Sequence, residues 1–446
     1  MIEALGSADS YELYQGSGLL PIYFAIEIIL FLYVFYKQGF NKWTIYLVLL
    51  FIPNIFQFIG FKGLYKIILT LYTLFIFFNT KSYIICRNYL FLDLLFLVWT
   101  IWFCISCVIN DVPVLMMLSQ YGVKSLFVFL WFYISVRISH SLRISEILYK
   151  VIKYALVIQP VLAIVKYLLW GIIGEGLVGS LTTYGGGPNN IIPIVGFLLV
   201  WIHNKGKLSL NDWLYCLFLL VSPVIGGKRS IWFFYPTVVG AILLFSAKIK
   251  NAQTVSKHLV AFIVILPLVV YLGVRLNPTL NPDEKVWGRF DYNYVIDYSS
   301  TYLFGDSSDS SGRGGSFLSL LNNSNSLNPR SSVFGSGIDV MKKSYDEFDN
   351  SGLDVKMKGE IGAFAGNCIA YGVVGALLLM LFQIAVIFEY NSKAISVILI
   401  LFSIIEAVIF YNVLMEGAMV VVLLFSMHSF RRHHIVNYES KGLNNG

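Results

Sequence analysis

The residues with the clearest chemical potential in this chain are cations set against apolar runs. Lys228 and Arg229 stand in Gly-Gly-Lys-Arg-Ser (226–230), directly ahead of IWFFYPTVVGAILLF. A helix N-terminus is the positive end of the backbone dipole, so two cations there are unfavourable unless an anion faces them. Lys124 and Lys166 lie inside apolar runs, where an unpaired charge is costly and reads as functional; Asp111 is within reach of Lys124 as a pairing partner. Tyr-Gly-Gly-Gly-Pro-Asn-Asn (184–190) opens another run. Its glycines admit a ligand close to the backbone, Pro188 suits a first helical turn, and free N–H groups at such a start attract anions. Gly187 and Asn189 are its binding candidates. Arg289 and Arg313, in the longest polar segment, add guanidinium forks that bind phosphate in a bidentate way that lysine does not match. Glu416 is a carboxylate within an apolar run and reads in the same way as the two lysines. Glu406 occupies a position like that of Glu416 in its own run, whereas Glu27 reads as a carboxylate paired with a neighbouring helix, outside the site.

The elements that must position these groups are membrane spans. Of 446 residues, 57% are hydrophobic and only 13% charged, against about 25% charged in soluble domains; mean hydropathy is +0.73. Apolar runs long enough to cross the hydrocarbon recur along most of the chain. They give about thirteen expected spans, near 18–36, 43–60, 64–80, 89–109, 115–136, 150–173, 189–203, 209–226, 229–247, 258–274, 361–389, 394–411 and 413–429. The fold class is therefore an all-α, polytopic helical bundle of about 12–13 spans. It divides into an N-terminal bundle (1–274), one large extracytoplasmic loop (275–360), C-terminal helices (361–430) and a tail (431–446).

Alternate connections are rich in Lys and Arg, among them Lys37 and Lys42, Arg137 to Lys153, Lys205 and Lys207, Lys248 to Lys257, and Arg431 and Arg432. The positive-inside rule makes that set cytoplasmic, which places Lys228, Arg229 and the long loop outside. No Lys or Arg precedes Lys37, so the first span lacks the basic flank of a signal peptide and is expected to be retained. The composition excludes a nucleic-acid binder, since no basic tract with interleaved aromatics occurs. The five cysteines are Cys86, Cys104, Cys107, Cys216 and Cys368; Cys104 and Cys107 have redox spacing but read as small packing residues in a span. No zinc spacing or Asp-x-Asp pair suggests a metal, and no cofactor is expected.

The loop is rich in Ser, Asn, Gly and Asp, and 305–312 and 322–332 read as disordered. Its first half carries Trp287, Phe290, Tyr292, Tyr294, Tyr298 and Tyr302, material to pack and faces that suit sugar rings. Cations converging on the outer side fit a lipid-linked diphosphate, whose phosphates lie at headgroup level and whose lipid needs a groove between helices.

Four segments, in order, resemble the bacterial O-antigen polymerase and ligase superfamily. They are YGGGPNN; GGKRS opening a span; SGRGGSFLSLLNNSNSLNPRSSVFGSGI, similar to Ser-Gly-Arg followed by Gly-x-Gly (Arg313, Gly335, Gly337); and GNCIAYGVVGALLLMLF, similar to a loop exit with Gly-x-x-Gly (Gly372, Gly375). The resemblance implies a GT-C-like membrane glycosyltransferase in the bacterial inner membrane. It would be metal-independent and would face the periplasm or exterior. Its substrate would be an oligosaccharide on undecaprenyl diphosphate, with a flippase and a chain-length regulator as possible partners. It implies catalytic roles for Arg229, Arg313 and Glu360, with Lys228, Lys124, Lys166, Asn189, Gly187, Arg289 and Glu416 around the substrate; for the base that takes the acceptor proton, Glu360 is the first candidate, followed by Glu416 and Asp339. Ligases of the superfamily carry a His-Asn shortly before the Gly-x-x-Gly. Here that region reads KGEIGAFAGN, which favours a polymerase of O-antigen or capsule over a ligase. A lipid-oligosaccharide flippase or transporter is the alternative from another class; the chain shows no internal repeat of the kind such proteins carry.

Overall fold

The computed structural model describes residues 18–171, 177–181, 187–246, 267–277, 280–285, 287–304, 329–337, 362–389, 393–409 and 417–428. Among these, 82% are helical and none is in a strand. Four helices are long and apolar enough to cross a membrane: α1 (Leu20–Gln38), α5 (Leu90–Ile109), α8 (Leu142–Trp170) and α16 (Ala363–Phe388). Between α1 and α5 lie α2 (Lys42–Phe51), α3 (Pro53–Phe58) and α4 (Lys62–Asn79). The expected span at 43–60 is thus two helices, because Pro53 cannot continue α2 and instead starts α3. The expected span at 115–136 is α6 (Val114–Tyr121), a wide turn at Gly122–Leu126 and α7 (Phe127–Ile138), a local widening of the helix that often marks a functional site.

The remaining helices are α9 (Gly187–His203), α10 (Leu210–Leu219), α11 (Val221–Ile225), α12 (Ile231–Ser246), α13 (Pro267–Leu276), α14 (Tyr292–Phe304), α15 (Pro329–Phe334), α17 (Lys393–Ile409) and α18 (Gly417–His428). Two of them lie in the long polar segment. Asp291 caps α14, its Oδ1 accepting from the N–H groups of Asn293 at 3.0 Å and Tyr294 at 3.2 Å. The expectation of disorder over 322–332 is corrected at its end: Pro329 opens α15, its fixed φ suiting a first helical turn. Residues 305–312 lie outside the described residues.

The chain forms two compact units. The first comprises 1–82, 130–290 and 417–446. Helix α8 is its hub, packed by α1, α2, α9, α10 and α11, while α9 also packs on α18. Every residue from Ile191 to Val200 in α9, and from Ala418 to His428 in α18, is buried, as expected of helices apolar all round. A fully buried polar chain runs through this core: Trp131 Nε1 donates to Tyr46 OH at 2.7 Å, and Tyr46 OH shares a hydrogen with Thr73 Oγ1 at 2.7 Å. The second unit comprises 83–129 and 291–416, with α16 packed by α5, α15 and α17.

Outward faces of the long helices are apolar as well. Ile29 on α1 is 62% exposed, and Phe91 and Val108 on α5 are 70% and 73% exposed. Contiguous apolar surface of this kind is unfavourable in water and natural against lipid. The protein is a helical, membrane-embedded one. Cys104, Cys107, Cys216 and Cys368 are unbridged.

Candidate functional site

The Gly-Gly-Lys-Arg-Ser segment is the joint between two helices. Lys228 N donates to Pro223 O at 2.9 Å and Gly227 N to Val224 O at 3.1 Å, with Gly227 at φ 62. These are the two bonds of a Schellman stop, in which the left-handed residue is glycine because a Cβ would be strained. Ser230 O then accepts from Phe233 and Phe234 N–H as α12 begins. The two cations therefore sit at the negative end of one helix as well as the positive end of the next, which offsets the dipole cost that the sequence alone suggests. Asn277 Nδ2 donates to Gly227 O at 3.2 Å and fixes the joint against the end of α13. Lys228 is buried and Arg229 half-buried.

Lys166, also in the first unit, is 1% exposed. Its Nζ donates to Gly179 O at 3.2 Å and lies 5.1 Å from the Tyr23 ring centroid. Glu27, fully buried in α1, is an acidic group that acts on Lys166 electrostatically, and its Oε2 accepts from Asn54 Nδ2 at 2.8 Å. The same Asn54 donates its backbone N–H to Ser180 O at 3.1 Å. Gln159 closes the ring: its Oε1 accepts from Ser180 N and its Nε2 donates to Ser180 Oγ, each at 2.9 Å. A Cβ on Gly179 would stand 2.3 Å from Gln159 Oε1. Three side chains, Tyr23 of α1 and Gln159 and Lys166 of α8, together with the backbone N–H of Asn54 in α3, thus grip Gly179 and Ser180 just ahead of Tyr-Gly-Gly-Gly-Pro-Asn-Asn. Lys166 faces this interior rather than an open surface. Desolvating an ammonium is tolerable only with such partners.

In the second unit, α16 is broken at Gly372 (φ 75, ψ 168). The loop after α15 lies against that break. A Cβ on Gly372 would come within 1.9 Å of Val333 O, and one on Gly335 within 2.5 Å of the Ala370 carbonyl carbon; only glycine permits backbones this close. Ser336 N donates to Ile369 O at 2.7 Å and Trp102 Nε1 to Tyr371 O at 3.0 Å, so carbonyls released by the break regain donors. Ser106 Oγ donates to Phe334 O at 2.6 Å, and the Phe334 ring stacks on Trp102 with centroids 5.2 Å apart. The glycines of the Gly-x-Gly and Gly-x-x-Gly segments, far apart in sequence, meet here.

The other candidates fall as follows. Gly187 and Asn189 lie in the first turn of α9 and Lys124 in the wide turn between α6 and α7. Arg289 is exposed, its N–H donating to Asp283 Oδ2 at 2.8 Å. Arg313, Asp339, Glu360 and Glu416 lie outside the described residues. Glu406 is buried in α17. No group of three or more His, Cys, Asp or Glu gathers among the described residues. Sequence reasoning missed Asn54, Gln159 and Ser180 and set Glu27 aside; the available signal was a polar residue inside each apolar run (FIPNIF, VIQPV). Comparisons of the chain with protein-family models, with curated proteins and with solved structures yield no match.

Proposed function

We propose that this protein is a polysaccharide polymerase, a membrane glycosyltransferase. It moves a growing glycan from undecaprenyl diphosphate onto the next lipid-linked repeat unit at the outer face of the plasma membrane. The observation that carries this reading is the contact of Gly335 with Gly372. The two loop motifs on which the superfamily resemblance rests are separate in sequence, and a shared task explains why they are packed backbone to backbone. The Schellman joint that sets Lys228 and Arg229 between two helix ends adds support, because it fixes two cations in one rigid turn.

In the reaction the anomeric C–O bond to diphosphate breaks and its electron pair stays on the phosphate oxygen. The acceptor hydroxyl attacks the oxocarbenium-like carbon, and its proton passes to Glu360. Arg229 and Arg313 neutralise the charge that grows on the departing diphosphate, so they bind the transition state more tightly than the ground state. Lys228, Lys124, Arg289 and the α9 start at Gly187 and Asn189 hold the lipid-linked phosphates, and Glu416 orients the acceptor. Lys166, closed off from the surface, acts by fixing Gly179 and hence the approach to α9.

The test is polymerisation of purified lipid-linked repeat unit by the reconstituted protein, read as a ladder on a gel. Arg229→Ala and Arg313→Ala are each expected to lower the rate by about 10²–10³-fold, the scale of losing one oxyanion-hole donor. Arg229→Lys is expected to be impaired too, because the fork is lost. A normal ladder from either alanine variant overturns the assignment. In cells, a deletion that leaves single repeat units on the surface lipid marks a polymerase; lipid-linked units trapped inside mark a flippase, and unligated polymer marks a ligase.

A further inference from the structure

The segment that follows α13 carries an aromatic side chain in a conformation that its residue type avoids. Trp287 has φ 63, a left-handed backbone that is uncommon for any residue but glycine and strained for a bulky one. The surrounding structure enforces it. Arg275, in the last turn of α13, donates from Nη2 to Trp287 O at 3.3 Å and from Nε to Gly288 O at 3.1 Å, and Gly288 N returns a bond to Arg275 O at 3.1 Å. Asn281, fully buried, donates to Asn277 O at 2.8 Å and Lys285 O at 2.9 Å. A Cβ on Gly288 would strike Asn281 Oδ1 at 1.8 Å, so only glycine fits at that position.

The result is a rigid aromatic shelf. The Arg275 guanidinium lies 5.3 Å from the Trp287 ring centroid and covers that side of the indole. Trp287 remains 54% exposed, and neighbouring Tyr271 and Phe290, with rings 5.3 Å apart, are 40% and 37% exposed. Two residues on from Trp287, the backbone N–H of Arg289 donates to Oδ2 of Asp283 at 2.8 Å, and both of these residues are exposed. An electron-rich ring face takes the C–H face of a pyranose, and a carboxylate or guanidinium in the same turn takes hydroxyls; few polar groups around an apolar floor is the usual anatomy of a small-ligand site.

We propose that Trp287, braced by Arg275 and flanked by Asp283, is a pyranose-binding subsite that seats one sugar ring of the glycan substrate. This rests on the polymerase reading for its place in the reaction, but not for the binding itself. A membrane-interface tryptophan is the competing occupant of such a position. The strained, doubly bonded backbone argues against it, because anchoring in lipid headgroups needs no fixed ring orientation.

The test uses the full chain in detergent on a printed array of bacterial oligosaccharides. The wild type is expected to retain a defined set of pyranose oligosaccharides. Trp287→Ala should lose retention about tenfold or more, equivalent to about 1.4 kcal/mol, while Trp287→Phe keeps most of it and reports that the turn is intact. Equal retention by wild type and Trp287→Ala, or no retained glycan at all, overturns the subsite. In parallel, wild type and Trp287→Phe are reconstituted into vesicles containing dibrominated phosphatidylcholine. Quenching confined to the wild-type difference signal places the indole in lipid and likewise overturns it. Glycan retention that depends on Trp287 in a protein that makes no polymer upholds the subsite and defeats the polymerase reading instead.

Discussion

The hubs of the two units, α8 and α16, solve one problem in opposite ways. Each is a long apolar helix that contains a residue disfavouring helix: Pro160 in α8, which stays helical through it, and Gly372 in α16, where the helix breaks. Around α8 the polar demand is met by side chains. Gln159 binds Ser180, and Lys166, on which buried Glu27 acts electrostatically, binds Gly179. Around α16 it is met by backbone, with Ser336 N on Ile369 O and Gly335 pressed against the break. In a medium without water, polar groups must find partners inside the protein. Charged side chains supply them at long reach but leave each partner dependent on the other. Backbone supplies them only at near contact, which makes the site dependent on the absence of a Cβ.

The largest effect expected from breaking this contrast is at Glu27. Glu27→Ala leaves Lys166 buried without its counter-charge and should destabilise the protein by about 3–5 kcal/mol. Replacing both charges, Glu27→Gln with Lys166→Met, should recover much of that loss, since removal of a whole buried pair is often tolerated. Denaturant unfolding in detergent measures both, and additive losses in the double variant would refute the coupling. Next comes Gly372→Ala, which combines a left-handed alanine with overpacking against Val333 O; together these should cost about 2–5 kcal/mol. A thermal melt within experimental error of wild type would show that the backbone contact is dispensable. Ser106→Ala is the smallest change. It removes one hydrogen bond to Phe334 O, for which Asn110 Nδ2 at 3.4 Å is a weak substitute, and should cost about 1 kcal/mol. If Ser106→Ala proved worse than Gly372→Ala in the same unfolding assay, side chains rather than backbone would govern the second unit too.

Much of the architecture was legible beforehand. Apolar runs and sparse charge show a helical membrane protein without any coordinates, because twenty or so apolar residues have no other stable home. The edges were less legible. Pro53 divides a run that hydropathy joins, and the turn at 122–126 divides another that carries no proline at all. Within the long polar segment, Pro329 as a first-turn residue was readable as a helix start, but serine and asparagine around it masked the signal. Lys166 stood out because an ammonium inside an apolar run is conspicuous. Its interior aspect did not, because hydropathy along a helix does not say which neighbour each face meets.

Residue type and order by themselves determined that the chain is helical and apolar, where its cations lie, and which glycine motifs it carries. Those properties are local, set by side-chain transfer free energies and backbone freedom one residue at a time. Only the tertiary structure decided that Glu27 answers Lys166, that Arg275 bends Trp287 into the left-handed region, and that Gly335 lies on Gly372. Each joins residues that local sequence does not bring together: the contacts of Glu27 and Gly372 exist only once the helices have packed and excluded water, and the turn at Trp287 exists only once the Arg275 guanidinium reaches its carbonyl.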